Sequence, residues 1–133
     1  MAIQLDIVTP ERRLLSLEVD TVRAPGADGS FGVLPGHTPF VAVMEPGELT
    51  YTVGGEDFHY FVGGGFVEVV EGKVIVLAES AEAVADIDVD RAQFTLQQAQ
   101  ERLRTLREDE EAAAIERARV KRAVARVAIA RRR

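Results

Sequence analysis

The side chains able to do chemistry in this sequence form few recognisable sets. Two histidines, His37 and His59, stand 22 apart, and cysteine is absent, so neither a thiolate nucleophile nor a Cys/His metal set can be assembled. HExxH and GxSxG are missing, and the aspartates stand at no recognisable spacing from a nucleophile or base. The pattern argues against an enzyme and against a metal centre. His59, between Phe58 and Tyr60, reads as a solvent-face strand residue. Gly63-Gly64-Gly65 lacks the GxxxxGK[ST] context of a phosphate loop and no helix follows it. What remains is anion recognition. Ile87-Asp88-Val89-Asp90-Arg91-Ala92 sets Asp88 and Arg91 three apart at the start of a helical stretch, while Arg119, Arg122 and Arg126 step by three and four along one face of a second. On antiparallel helices these arginines converge on a polyphosphate, whose oxygens match guanidinium forks in pairs. The same spacing also describes a solvated charged face.

The elements that must position these groups follow from a composition break at Asp86. Beyond it, aromatic and β-branched residues give way to Ala, Gln, Glu, Leu and Arg, the strong helix formers. Asp88 is a good N-cap and Asp90 complements the helix dipole. Val89, Ala92, Leu96, Ala99, Leu103 and Leu106 form one apolar stripe on a helix predicted from about 88 to 107. Glu108-Asp109-Glu110-Glu111 reads as a connection, and a second helix, from about 112 to 130, carries Val120, Val124 and Val127. Two such helices make an antiparallel hairpin, lightly packed and therefore conditionally docked.

Before the break, short aliphatic runs alternate with turn signals, as in an all-β sandwich. Ile3, Leu5 and Ile7 share one face. Thr9-Pro10-Glu11, Pro25-Gly26, Glu45-Pro46-Gly47, Gly63-Gly64-Gly65 and Glu71-Gly72-Lys73 read as turns, and Gly54-Gly55 as a tight hairpin. That spacing predicts nine or ten short antiparallel strands in two packed sheets. The segment Gly29–Val41 is a strand–turn–strand corner: Pro35 suits position i+1 of a type II turn and Gly36 position i+2. Phe31, Val33, Leu34, Phe40 and Val41 are expected to be buried there. The corner reads either as a purely structural β-corner or as a rigid scaffold that presents Ser30 and His37 to a partner.

Charge is divided unevenly. Eight of the 16 basic residues and none of the 22 acidic ones follow Glu116, so the last seventeen residues carry +8 and residues 1–116 carry −14. The basic end calls for an acidic counterpart. An acidic body and a tail without interleaved aromatics speak against nucleic acid. A basic-tailed nucleic-acid module and a ligand-binding β-sandwich are the alternative readings. No apolar run approaches the roughly 20 residues that cross a bilayer, and no secretory signal opens the chain, so a soluble, cytosolic protein is expected.

The corner GSFGVLPGHTPFVA resembles the G-x-x-G-[IV]-x-P-G-H-x-P segment of the epsilon subunit of bacterial F-type ATP synthases. LDIVTPER, FVGGGFVEV, VIVLAESAE and IDVDRA extend the resemblance, in order, over the whole chain. It implies an α+β fold, with an N-terminal antiparallel β-sandwich over 1–85 and a C-terminal two-helix regulatory hairpin over 86–133. It further implies a non-catalytic central-stalk subunit that couples proton-driven rotation to ATP synthesis. The sandwich would bind the gamma subunit and sit on the c-subunit ring, with Ser30 and His37 facing the ring. The hairpin would swing out among the alpha and beta subunits and inhibit ATP hydrolysis, with Arg119, Arg122 and Arg126 against beta. The location implied is peripheral, on the cytoplasmic face of the inner membrane. No cofactor is required, but ATP is a possible regulatory ligand. The I-D-x-x-R-A motif of nucleotide-binding members is matched at Ile87, Asp88, Arg91 and Ala92, their second-helix arginines by Arg122 and Arg126, and an upstream glutamate by Glu82. Gln98 stands where those members carry a further arginine.

Overall fold

Ile3, Leu5 and Ile7 alternate with more polar residues, and in the computed structural model all three are buried, at 2% exposure or less. The structure describes residues 2–36, 38–106 and 110–132. The chain divides into two compact units, residues 1–83 and 84–133.

The first unit holds eight strands: β1 (Ile3–Val8), β2 (Arg13–Val19), β3 (Thr21–Gly26), β4 (Gly29–Val33), β5 (Phe40–Val53), β6 (Glu56–Val70), β7 (Lys73–Ala78) and β8 (Ala81–Ala83). They hydrogen-bond in the order β2-β1-β7-β6-β5-β3-β4, with β8 paired to β6. The sheet folds round one apolar core in which Leu5, Ile7, Leu49, Val62, Val67, Val74 and Val76 are fully buried. Two expectations are corrected here. The sheet is mixed, because β1 runs parallel to β7; strands at opposite ends of the unit are joined by no hairpin, so no connection imposes antiparallel pairing. The strand number is eight rather than nine or ten, because two expected turns lie inside strands. Glu45-Pro46-Gly47 belongs to β5 and Gly63-Gly64-Gly65 to β6, and they face each other in register, Pro46 opposite Gly63 and Met44 opposite Gly65. Gly64 (φ +99) and Gly65 (φ +132) take backbone angles closed to other residues, which lets the ladder continue through a bend instead of ending.

Pro25-Gly26, also expected as a turn, lies within β3, Pro25 opposite Ser30 and Gly26 opposite Gly29, and the chain turns just after it; the remaining turns lie where expected. Gly54 and Gly55, at φ +59 and +83, close the β5–β6 hairpin between Val53 and Glu56. Gly36, at φ +83, suits the φ > 0 position of the corner turn. That corner does not join neighbouring strands, since β3 lies between β4 and β5. Val33 is buried, and Phe31 meets Phe40 edge-on at 5.3 Å. Leu34 and Val41, expected inside, are instead 62% and 67% exposed. Leu34 lies beyond the end of β4, and Val41 alternates away from the core.

The second unit opens with a 3-10 turn (Val84–Asp86) and continues through α1 (Val89–Thr105) and α2 (Glu110–Arg131), so both helices start or end within two residues of the expected bounds. Of the connection expected over 108–111, Glu110 and Glu111 belong instead to the first turn of α2, where their charges complement the helix dipole, and 108–109 lie outside the described residues. The helices are antiparallel neighbours: Arg131 Nη2, near the end of α2, donates to Gln93 Oε1, near the start of α1, at 2.9 Å. On α1 the stripe Ala92, Leu96, Ala99 and Leu103 is as expected, with Ala92 and Ala99 buried. On α2 the stripe is corrected. Val124 is 49% exposed, and the inward stripe is Ala113, Glu116, Val120, Ala123, Val127 and Ala130, with Ile129 buried beside it. These steps of 3, 4, 3, 4 and 3 make a heptad seam, whereas Val124 is displaced from it by one residue.

Candidate functional site

Asp88 caps α1. Its φ/ψ of −81/105 is extended, and Oδ1 accepts the Arg91 N–H at 3.1 Å. Ala92 is 2% exposed, so its role in the Ile-Asp-x-x-Arg-Ala motif is to let the helices approach closely. Arg91 projects into solvent, whereas Arg122 and Arg126 are half-buried. The Arg131–Gln93 hydrogen bond sets the register: five residues back from it is Arg126, and five residues on is Gln98, so these two stand level. Arg122 stands level with Arg102. Arg91 is then about 10 Å along the axis from the level of Arg126 and about 16 Å from that of Arg122, at 1.5 Å per residue. The motif and the α2 arginines thus line a strip of the hairpin rather than meeting at a point. Glu82 belongs to the first unit, half-buried in β8 and in register with Phe61.

Arg119 pairs within its own helix, Nη1 donating to Glu116 Oε1 at 2.7 Å. Glu116 is 5% exposed, and its Oε2 has no hydrogen-bond partner among the described residues. Sequence reasoning overlooked this carboxylate. Extending the α2 stripe towards the turn from Val120 and Val127 at heptad spacing would have found it.

On the sandwich, Ser30 is exposed in β4, and an open concavity of about 640 Å³ lies beside it, lined by residues of 26–31 and 40–43. His37 lies outside the described residues. His59 is exposed as expected, its Nδ1 3.2 Å from Thr50 Oγ1 and 3.6 Å from Glu48.

The outer face of β5, β6 and β7 carries a second surface. Val43, Phe66 and Leu77 are direct ladder neighbours and are 52%, 52% and 46% exposed; Val41 adjoins them on β5. A contiguous apolar row of this kind marks an interaction surface. Its signal was present in the sequence: VAVM, FVEVV and VIVLA are apolar at nearly every position, where a half-solvated strand would alternate. Next to the row on β1, Asp6 is 5% exposed. Its carboxylate accepts from Ser16 Oγ at 2.6 Å and Gln4 Nε2 at 3.3 Å, and Lys73 Nζ lies 3.4 Å away. The Ser16 and Gln4 hydrogen bonds, helped by Lys73, hold its pKa below the ordinary aspartate value, against the opposing effect of burial.

Among the described residues no group of three or more His, Cys, Asp or Glu side chains is placed to hold a metal ion, and no helix is long and apolar enough to cross a membrane.

Comparison with known proteins agrees with this geometry. Residues 2–84 match the family described as "ATP synthase, Delta/Epsilon chain, beta-sandwich domain". The chain is 57% identical over 130 residues to the ATP synthase epsilon chain of Anaeromyxobacter sp. (strain Fw109-5), covering 98% of each. It is 48% identical over 126 residues to that of Myxococcus xanthus (strain DK1622), covering 95% of this chain and 93% of the other. The fold is similar to a chain in the cryo-EM structure of the Euglena gracilis mitochondrial ATP synthase (OSCP, F1 and c-ring, rotational state 1). That match has a TM-score of 0.77 and 24% identity and covers 92% of this chain and 78% of the other. A chain of the Tetrahymena thermophila mitochondrial ATP synthase central stalk and c-ring matches with a TM-score of 0.63 and 15% identity, covering 96% and 97%. With its sandwich matched from end to end and its relatives matched through the helical hairpin as well, the chain belongs to the ATP synthase epsilon-chain family.

Proposed function

We propose that the chain acts as a non-catalytic central-stalk subunit of a bacterial F-type ATP synthase, coupling proton-driven rotation to ATP synthesis. The sandwich is the fixed part. Its exposed row of Val41, Val43, Phe66 and Leu77 seats the gamma subunit, and the corner with Ser30 and His37 faces the c-subunit ring. The helical hairpin is the regulatory part. It parts from its folded arrangement, reaches the alpha and beta subunits and restrains ATP hydrolysis through Arg119, Arg122 and Arg126. ATP, held along the strip that includes Arg91 and Arg126, favours the folded arrangement, because a ligand shifts a population only by its differential affinity for the two states. The assembled protein lies peripherally at the cytoplasmic face of the inner membrane.

The observation that carries this reading is the apolar row. Side chains of this size in direct register on an otherwise acidic body are an unused hydrophobic surface, and burying them in a partner is the favourable outcome. The experiment is co-purification of tagged parent and Phe66→Asp chains with the gamma subunit. Phe66 is half exposed, so the variant should fold, and its circular dichroism should match the parent. Loss of gamma from the Phe66→Asp sample is expected; full retention would move the gamma interface elsewhere on the molecule.

A further inference from the structure

The outer face of β5, β6 and β7 holds one side chain that a purely apolar partner cannot cover without loss. Glu68 of β6 lies directly opposite Val41 on β5 and Ile75 on β7. Residues two apart on a strand share a face, so Phe66 and Val70 flank it along β6. Its four neighbours on the face are therefore apolar, and the residue between them is already half-buried. Among the described residues Glu68 makes no hydrogen bond and no ion pair.

The strands around it supply no free cation. β5, β6 and β7 contain one lysine, Lys73, and no arginine. Lys73 is diagonal to Glu68 across the β6–β7 ladder, but its Nζ lies 3.4 Å from Asp6 Oδ2. Asp6 and Glu68 stand at one level, because Ile75 pairs with Asp6 on one side and with Glu68 on the other. The lysine serves the carboxylate on β1, and the one on β6 is left without a counter-charge.

Covering the apolar row removes this carboxylate from water as well. Val41 and Phe66 are its direct neighbours, so a surface that buries both also closes over Glu68. An unpaired carboxylate there would oppose the gain from the apolar area. A guanidinium opposite it would instead donate to both oxygens, and surfaces lacking the cation would be rejected.

We infer that the surface seated on this face carries a cationic side chain, an arginine by the chemistry of the site, that pairs with Glu68 and fixes the register of the docked partner. The inference deepens the proposed gamma interface and rests on that reading for the identity of the partner. Apolar burial is non-directional and tolerates sliding, whereas one charge pair among Val41, Phe66, Val70 and Ile75 admits a single placement.

The test is the affinity of the full-length chain for the gamma-containing complex stripped of this subunit. Parent, Glu68→Leu, Glu68→Gln, Glu68→Lys and Phe66→Asp chains are compared. Glu68 has no internal polar partner among the described residues, so its variants should fold, which circular dichroism checks. Leucine gives the informative sign. Opposite an apolar surface it would remove an unpaired charge and tighten binding. Opposite a cation it leaves that cation buried and unpaired, and binding is expected to weaken by at least about tenfold. Glu68→Gln should also weaken binding, and Glu68→Lys should weaken it most. An alanine scan of the arginines and lysines of gamma should then find one whose loss weakens the parent but not the Glu68→Leu chain. Tighter or equal binding by Glu68→Leu, or a scan that finds no such residue, would overturn the inference while loss of gamma from Phe66→Asp keeps the interface itself in place. Full retention of gamma by Phe66→Asp would sink the reading that this face seats gamma, and the inference with it.

Discussion

Gly65 on β6 lies so close to Leu77 on β7 that a Cβ at position 65 would overlap the Leu77 carbonyl oxygen, with the glycine at φ +132. No side chain fits between the strands there, and no residue with a Cβ adopts that backbone angle without strain. The neighbours of this close approach are Phe66 and Val43, so the glycine supports the strand bend beside the exposed apolar row.

Gly65→Ala is therefore expected to destabilise the chain by about 2–5 kcal/mol, the sum of backbone strain and overpacking. For a domain of this size that lowers Tm by at least about 10 °C. Gly72→Asn provides the contrast: at φ +71 with nothing within 4 Å of a built Cβ, it should be nearly neutral. Thermal unfolding followed by circular dichroism compares the two.

Asp6 makes stability depend on acid. Its folded-state pKa is depressed from the ordinary value of 3.8, so the stabilisation it confers is fully present above that value and is lost as pH falls through the lower, folded one. The parent should lose stability as pH falls below about 4. Asp6→Asn should be less stable than the parent at pH 7, with the gap narrowing towards pH 3. Urea midpoints across that range test this, and a constant gap would remove Asp6 from the acid response.

Replacing Arg119, Arg122 and Arg126 together with alanine is expected to relieve inhibition of ATP hydrolysis while leaving proton-coupled synthesis largely intact. Each charge-assisted hydrogen bond to a partner surface that the substitutions remove is worth about 1.5–3 kcal/mol. Hydrolysis and synthesis rates of reconstituted enzyme decide it; inhibition as strong as in the parent would clear this face of the role.

The level placement of Gln98 and Arg126 turns the nucleotide question into one substitution. Gln98→Arg is expected to tighten ATP binding to the isolated chain by roughly tenfold to 150-fold, equivalent to about 1.5–3 kcal/mol for one more guanidinium–phosphate interaction. Calorimetric titration measures both chains. If neither saturates at millimolar ATP, the strip of Arg91, Arg122 and Arg126 is a solvated charged face.

Much of this molecule was determined by local residue chemistry and could be read directly. Alternation at Ile3, Leu5 and Ile7, two consecutive glycines at 54 and 55, a capping aspartate at 88 and a helix-forming composition after Asp86 each act within a few residues of themselves. What tertiary structure decided were the features that depend on a partner distant in the chain. Pro46 and Gly63 look like turn residues until they are placed opposite each other in a continuous ladder. The direction of β1 against β7 is set by the closing of the sheet and by no local signal. Val41, Val43, Phe66 and Leu77 were legible as strand formers, but which of them face outward depends on which side of the pleat the core occupies. Glu116 shows the same limit on the hairpin. Its helix was predictable from composition, but its burial depends on which face of α2 turns inward, where a shift of one residue exchanges exposed Val124 for buried Ala123.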